Sequence, residues 1–242
     1  MGGLLAHEKG LFNSFVSNGY MTDEAIEVAS QFLDAVTVDL KGNANESFLR
    51  RFVGGVPSPE PIFESIKALK ERGGIHVEIT DLVVPGGGDD LGDARRVSRW
   101  IVDELGPETP VHFLRFHPDY KMMNVPPTPV ETLEKHAKVA IDEGLKYVYI
   151  GNVPGHELEN TRCPSCGRVI VRRWGGFRIL EWNIENGKCK YCGAAINIKG
   201  ELKPTWREDR FVQVPIHLFS NYTEVKLSDV KGGMRIIGGE EA

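Results

Sequence analysis

All four cysteines of this 242-residue chain stand in two matched pairs, Cys163-Pro164-Ser165-Cys166-Gly167 and Cys189-Lys190-Tyr191-Cys192-Gly193, with 22 residues between the pairs. Two thiolates of one tight knuckle can face a common ion, and two knuckles make a tetrahedral four-thiolate site, most often for zinc. The glycine after each second cysteine suits the positive-φ residue that closes such a knuckle. Two disulfides are the competing use of four cysteines, and a chain of cytosolic character disfavours them. Zinc and iron both accept this donor set, and spacing does not separate them. Every cysteine is spent here, so none is left as a nucleophile or as a ligand to a second metal centre.

The other chemistry lies in strand parity. In Thr37-Val38-Asp39-Leu40-Lys41 successive side chains alternate faces. Val36, Val38 and Leu40 go one way, and Thr37, Asp39 and Lys41 go the other. His76, Glu78 and Thr80 alternate with Val77 and Ile79 in the same manner, and Arg115 and His117 are placed on one face with Val111 and Phe113. A parallel strand buried on both faces reads as nearly continuous apolar residues, and these do not. A shared polar face predicts a polar cavity or lumen with working residues at the C-terminal strand ends. Gly86-Gly87-Gly88 lacks the Lys-Ser/Thr of a phosphate-binding P-loop and reads as a loop at a strand end.

The elements that must carry these residues alternate. Strand-like runs fall at 12–16, 35–40, 75–84, 111–116 and 147–150. Helical patterns fall at 22–33, 59–72, 91–105 and from Thr128 to about Glu143, the last opened by the capping box Thr128-Pro129-Val130-Glu131. That succession predicts βα units on a parallel sheet over residues 1–158. Residues 159–200 form the metal-bound ribbon. Residues 201–242 are an extension with strand-like runs at 211–219 and 223–227.

Composition bounds the function classes. A net charge of −5, with 29 basic and 34 acidic residues, excludes a polybasic nucleic-acid binder. No apolar run approaches the 18 residues a membrane span needs. The opening Met1-Gly2-Gly3-Leu4-Leu5-Ala6-His7 has neither the basic start nor the apolar core of a secretory signal, so the expected location is the cytoplasm.

The ordered motifs Val16-Ser17-Asn18-Gly19-Tyr20-Met21-Thr22, Asp39-Leu40-Lys41-Gly42, Val83-Val84-Pro85-Gly86, Arg115-Phe116-His117-Pro118-Asp119-Tyr120-Lys121, Pro126-Pro127-Thr128-Pro129, Gly151-Asn152-Val153-Pro154-Gly155 and Glu159-Asn160-Thr161-Arg162-Cys163-Pro164 resemble radical S-adenosylmethionine enzymes. More narrowly they look like the AmmeMemoRadiSam-system branch, related to pyruvate formate-lyase activating enzymes. The resemblance runs over roughly residues 4–195. It implies a partial (β/α) TIM-like barrel lacking its first strands, followed by a small four-cysteine zinc ribbon. In that family S-adenosylmethionine chelates a [4Fe-4S] cluster held by a Cys-x-x-x-Cys-x-x-Cys motif, and its reductive cleavage gives a 5′-deoxyadenosyl radical. The resemblance further implies that Ser17 and Asn18 line the cofactor site, that Asp39 and Lys41 contact the methionyl end, and that His117 lies by the ribose or adenine. This chain departs from the family in two places. The cluster motif is absent, and Val16 stands where the activating enzymes carry Asp.

Two functional readings follow. One is the C-terminal portion of a radical S-adenosylmethionine enzyme, inactive alone, whose open barrel edge self-associates or takes a partner that completes it. The other is a non-catalytic protein whose ribbon binds a partner protein or nucleic acid. Arg162, Arg168, Arg172, Arg173 and Arg178, with Trp174 and Phe177 between them, are the residues such binding would use, and a solvated strand face is their plainer use. A rubredoxin-like ribbon holding iron is a third.

Overall fold

The computed structural model describes residues 2–54, 58–176, 178–200 and 202. The strand-like runs at 211–219 and 223–227, and Phe177, lie outside the described residues. Met1–Lys203 forms one compact unit that holds both the sheet and the ribbon.

Short helix α1 (Gly2–Glu8) leads into strand β1 (Ser14–Ser17). Helix α2 (Asp23–Ser30) follows, with the Thr22 hydroxyl accepting from the Ala25 N–H as N-cap and two acids in the first turn. Then come β2 (Ala35–Lys41), the helical turn α3 (Glu46–Phe48), α4 (Glu60–Glu71) and β3 (His76–Val83). Helix α5 (Leu91–Trp100), capped by Asp90, runs on into a π-helical turn, Ile101–Leu105. After it come β4 (Val111–Arg115), α6 (Val130–Asp142) and β5 (Val148–Gly151).

The five strands pair in parallel in the order β1-β2-β3-β4-β5. A sequential parallel order joined by helices is that of a (β/α) barrel segment. One face of the sheet is apolar. Val36, Val38, Leu40, Val77, Ile79, Val111, Phe113 and Ile150 share a single core with Ile26 of α2, Ile66 and Leu69 of α4, Val97 of α5 and Leu133 of α6. The other face carries the alternate residues. Register places Thr37 beside Glu78, Asp39 beside Thr80, Thr80 beside His112, and His112 beside Tyr149. The polar face read from β2 and β3 is therefore present.

On β4, Arg115 shares a face with Val111 and Phe113 as expected, but that face is the apolar one. Arg115 pairs with Val83, whose side chain is fully buried in the core, so Arg115 belongs to the helix face and its Nε donates to the Thr128 carbonyl. The polar face takes His112 from β4 instead. Thr128 also departs from its expected part as N-cap. The N-cap of α6 is Pro129, without a side-chain hydrogen bond. The Thr128 hydroxyl is buried, accepting from the Phe116 N–H at 2.9 Å and donating to the Val83 carbonyl at 2.7 Å. It joins the ends of β3 and β4, where both backbone groups would otherwise be buried without a partner. The glycine loop bends back on itself through a Val84–Gly88 bridge.

The ribbon follows directly: β6 (Thr161–Arg162), β7 (Val169–Trp174) and β8 (Arg178–Trp182) form an antiparallel sheet, and β9 (Ile184–Glu185) pairs with β10 (Lys188–Cys189). It has its own small core of Ile170, Val171, Ile184 and Ile196 around Cys163 and Cys189.

Candidate metal centre and lumen site

The two cysteine knuckles are built alike. Gly167 N–H donates to the Cys163 carbonyl at 2.9 Å, and Gly193 N–H donates to the Cys189 carbonyl at 2.8 Å. Both glycines have positive φ, 70° and 74°, as the spacing predicts. The four sulfurs lie within 4.8 Å of one another. Cys163 and Cys192 are 3.6 Å apart and Cys166 and Cys189 are 3.9 Å apart. A disulfide needs about 2.05 Å. A tetrahedron with metal–sulfur bonds of about 2.3 Å has edges of about 3.8 Å. The donor set fits a tetrathiolate ion and not a pair of disulfides.

Ionisation points the same way. Desolvation opposes the Cys163 thiolate, but the backbone N–H groups of Cys166 and Ser165 and the neighbouring sulfurs outweigh it and hold the thiol down to about 7. The Ala194 N–H favours the Cys192 thiolate, yet desolvation and the three other sulfurs push that thiol up to about 12. Four sulfurs this close cannot all ionise without a cation among them, and a divalent ion removes the conflict.

The polar sheet face holds the second candidate site. Lys41 makes an ion pair with Asp39, whose other oxygen accepts from the Thr80 hydroxyl at 3.0 Å. These three stand in the C-terminal halves of β2 and β3, and all three are half-buried, as lumen residues are. Ser17 pairs with Val38 and so sits on the helix face, its hydroxyl accepting from the Gly19 N–H. The Asn18 side chain accepts from the Tyr20 N–H in the following turn. His117 is exposed in the segment after β4 and makes no hydrogen bond or ion pair with Asp39 or Lys41. The structure thus brings Asp39 and Lys41 together and leaves Ser17, Asn18 and His117 apart from them.

Deeper along the same face lies a group that parity on β4 hides. Glu78 accepts from His76 Nε2 at 3.0 Å and from His112 Nε2 at 2.9 Å. Burial would raise the Glu78 carboxyl, but the hydrogen bonds and charge of the two imidazoles win and hold it well below the usual carboxylate range. His112 stacks on Tyr149, ring centroids 4.6 Å apart. The Tyr149 hydroxyl meets Thr161 at 3.1 Å, and burial pushes its phenol up to about 12. The ribbon reaches this place through Arg173, which lies over the Tyr149 ring at 5.9 Å. A cleft of about 280 Å³ opens between the strands and β7, lined by Glu78, His112, Tyr149, Glu159 and Arg173 among others. The alternation Val111-His112-Phe113 carries the signal for His112; the sequence carries none for Arg173 entering the lumen.

A fourth set is buried beneath the strand ends. Asp81, on the helix face of β3, accepts from the Asn43 N–H at 3.0 Å. Asn43 has left-handed φ of 56°, and its amide donates to the Asp90 carbonyl at 3.0 Å and meets His136 Nε2 at 3.1 Å.

The arrangement defines an α/β protein with a parallel sheet, a polar strand face and a thiolate metal site. Its sheet has the fold of a domain of pyruvate-formate lyase-activating enzyme from Bacteroides vulgatus, matched with a TM-score of 0.50 at 17% identity over 60% of this chain and 84% of that one. A radical SAM methyltransferase from Sphaerobacter thermophilus gives a TM-score of 0.44 at 13% identity, over 60% and 42% of the two chains. In sequence the chain is similar to the uncharacterized protein MJ0808 of Methanocaldococcus jannaschii, 46% identical over 196 residues, which are 81% of this chain and 57% of that protein. The chain spans less than two thirds of that relative's length. No protein-family profile matches it. No helix among the described residues is long and apolar enough to cross a membrane.

Proposed function

We propose that this chain is the substrate-side portion of a radical S-adenosylmethionine protein of the activating-enzyme kind, with a zinc ion in its ribbon. The observation that carries the reading is the polar strand face, ending in the Asp39–Lys41 pair, on a sheet with the fold of an activating-enzyme domain. On this reading the Lys41 ammonium receives the carboxylate of S-adenosylmethionine and Asp39 holds Lys41 in place, with Thr80 fixing the Asp39 carboxylate. Ser17, on the helix face of β1, Asn18 in the turn after it, and exposed His117 after β4 make no hydrogen bond to this pair, so the reading rests on Asp39 and Lys41.

The cluster that activates this cofactor does not fit the residues present. It takes three thiolates and leaves one iron open. The chain has four cysteines, and all four converge on one closed site. Thiolates for a cluster must come from outside these 242 residues, so the chain does not cleave the cofactor alone.

The test has two arms. Equilibrium dialysis with S-adenosylmethionine should show weak binding that Lys41→Met lowers further; equal binding by parent and variant overturns the site. Anaerobic incubation with iron, sulfide, dithionite and S-adenosylmethionine should give no 5′-deoxyadenosine above a protein-free control; its formation overturns the reading of inactivity.

A further inference from the structure

The cleft between the sheet and the ribbon holds two opposite charges that do not meet. Glu159 is buried, 6% exposed. One of its oxygens accepts from the Gly155 N–H at 2.8 Å, and no cation among the described residues pairs with it. Arg173 uses only Nη1, donating to the Glu159 carbonyl oxygen at 3.3 Å and to the Thr161 hydroxyl at 2.6 Å. Its Nε and Nη2 edge has no partner among the described residues, and no carboxylate pairs with it. Glu159 is buried and Arg173 half-buried, and withdrawing such charges from water costs free energy unless something pairs with each. The two groups are held apart by their own backbone hydrogen bonds, so they do not simply collapse onto each other. Glu78 in the same walls has both oxygens taken by His76 and His112, which leaves Glu159 as the unpaired carboxylate.

A ligand that satisfies this cleft carries charges in the inverse order: an ammonium for Glu159 and a carboxylate for the free fork of Arg173. A simple anion would meet the unpaired Glu159 carboxylate, and a simple cation would leave the guanidinium unpaired. We infer that the cleft is a binding site for the α-amino-acid headgroup of a small substrate, with Arg173 taking its carboxylate and Glu159 its ammonium. The volume of about 280 Å³ suits one amino acid and not a folded partner. The flat wall made by Tyr149 and His112 bounds the space for its side chain. The ribbon is then part of the binding site, because the metal-stapled strand β7 delivers Arg173. This inference does not rest on the S-adenosylmethionine reading, although that cofactor carries the same headgroup.

The full chain is titrated by calorimetry with each of the twenty common L-amino acids. The tightest one is followed by its decarboxylated amine and its deaminated acid. Both halves are needed, so each analogue should bind ~10-fold or more weakly than the amino acid, as expected for losing a charged hydrogen bond. Glu159→Gln, which keeps the acceptor for Gly155, should weaken the amino acid by a similar factor and leave the amine-free acid unaffected. Arg173→Lys should weaken the amino acid and the acid alike, with the metal content of the chain unchanged. The proposal is overturned if no amino acid binds at millimolar concentration, if either analogue binds as well as its parent, or if Glu159→Gln changes nothing. S-adenosylmethionine separates the two sources of the headgroup. If it displaces the amino acid and loses its own affinity in Glu159→Gln, the cleft holds the cofactor and the assignment to a substrate falls. If its binding responds to Lys41→Met alone, the two sites are distinct and the assignment stands.

Discussion

Replacing Asp81 by asparagine should make the protein more stable at pH 8, although Asp81 is 1% exposed and hydrogen-bonded. Burial pushes the Asp81 carboxyl from its ordinary 3.8 up to about 7. The Asn43 N–H and the Lys41 charge oppose that rise; the carboxylates of Asp39 and Asp93 add to it. Its Oδ2 has no partner, and neither has the buried Oδ1 of Asn43. Between about pH 4 and pH 7 the folded chain therefore binds more protons than the unfolded chain. Stability falls as pH rises through that window, and above it the full cost of a buried ionised carboxylate is present. At 1.36 kcal/mol per pH unit this displacement is worth about 4 kcal/mol. Asparagine keeps the acceptor for Asn43 and stays neutral. Asp81→Asn should gain about 2–4 kcal/mol at pH 8, on the order of 10 °C in melting temperature, and little at pH 5. His136 acts in the opposite sense. Burial lowers its pKa below 6.5, so its contribution is lost as pH falls through 6.5. Stability of the variant should thus rise from pH 5 to pH 7. Scanning calorimetry of both proteins at pH 5, 6, 7 and 8 is the assay. A variant no more stable at pH 8, or a gain that does not shrink towards pH 5, refutes the reasoning.

Thr128→Val keeps the shape but leaves the Phe116 N–H and the Val83 carbonyl buried and unpaired; urea denaturation should show a loss of about 2–3 kcal/mol. Elemental analysis should find about one zinc per chain, and Cys166→Ser should abolish it while far-UV dichroism of the parallel sheet persists, since the metal contributes on the order of 10 kcal/mol to a small zinc module and the ribbon core is separate from that of the sheet. Dominant iron would replace the zinc assignment. Among the described residues strand β1 pairs only with β2, and it exposes Phe15 and Val16, the latter 80% exposed; sedimentation should show self-association of the chain, and Val16→Lys should reduce it by placing charge at that edge.

What the sequence yields follows from which forces are local. Alternation in 35–41 and 76–83 names the polar face because a strand's two faces differ by one residue, and hydrophobic burial acts on each position separately. The knuckles are legible for a similar reason: two cysteines three apart and a positive-φ glycine suffice to make half of the site. On β4 the alternation is read correctly and the wrong face is taken as the polar one. Arg115 and His117 draw attention as polar residues at a strand end, yet register with Val83 puts Arg115 on the helix face, His117 lies beyond the strand, and register is a property of the neighbouring strand. Thr128 shows a local signal outbid by a distant one. Its position before Pro129 and Glu131 matches a cap, but capping satisfies one exposed N–H, whereas the hydroxyl between Phe116 and Val83 satisfies two buried groups. Arg173 is the extreme case. Within the ribbon it is one of several arginines on a strand, and Arg172 beside it pairs outward with Glu181. Only its bonds to Asn160 and Thr161 and its place over Tyr149 of β5 bring Arg173 into the cleft that Glu159 and Glu78 also line. The ribbon and the lumen, read separately from sequence, meet at that one guanidinium on β7, so loosening the ribbon should be felt first in the cleft that Arg173 lines.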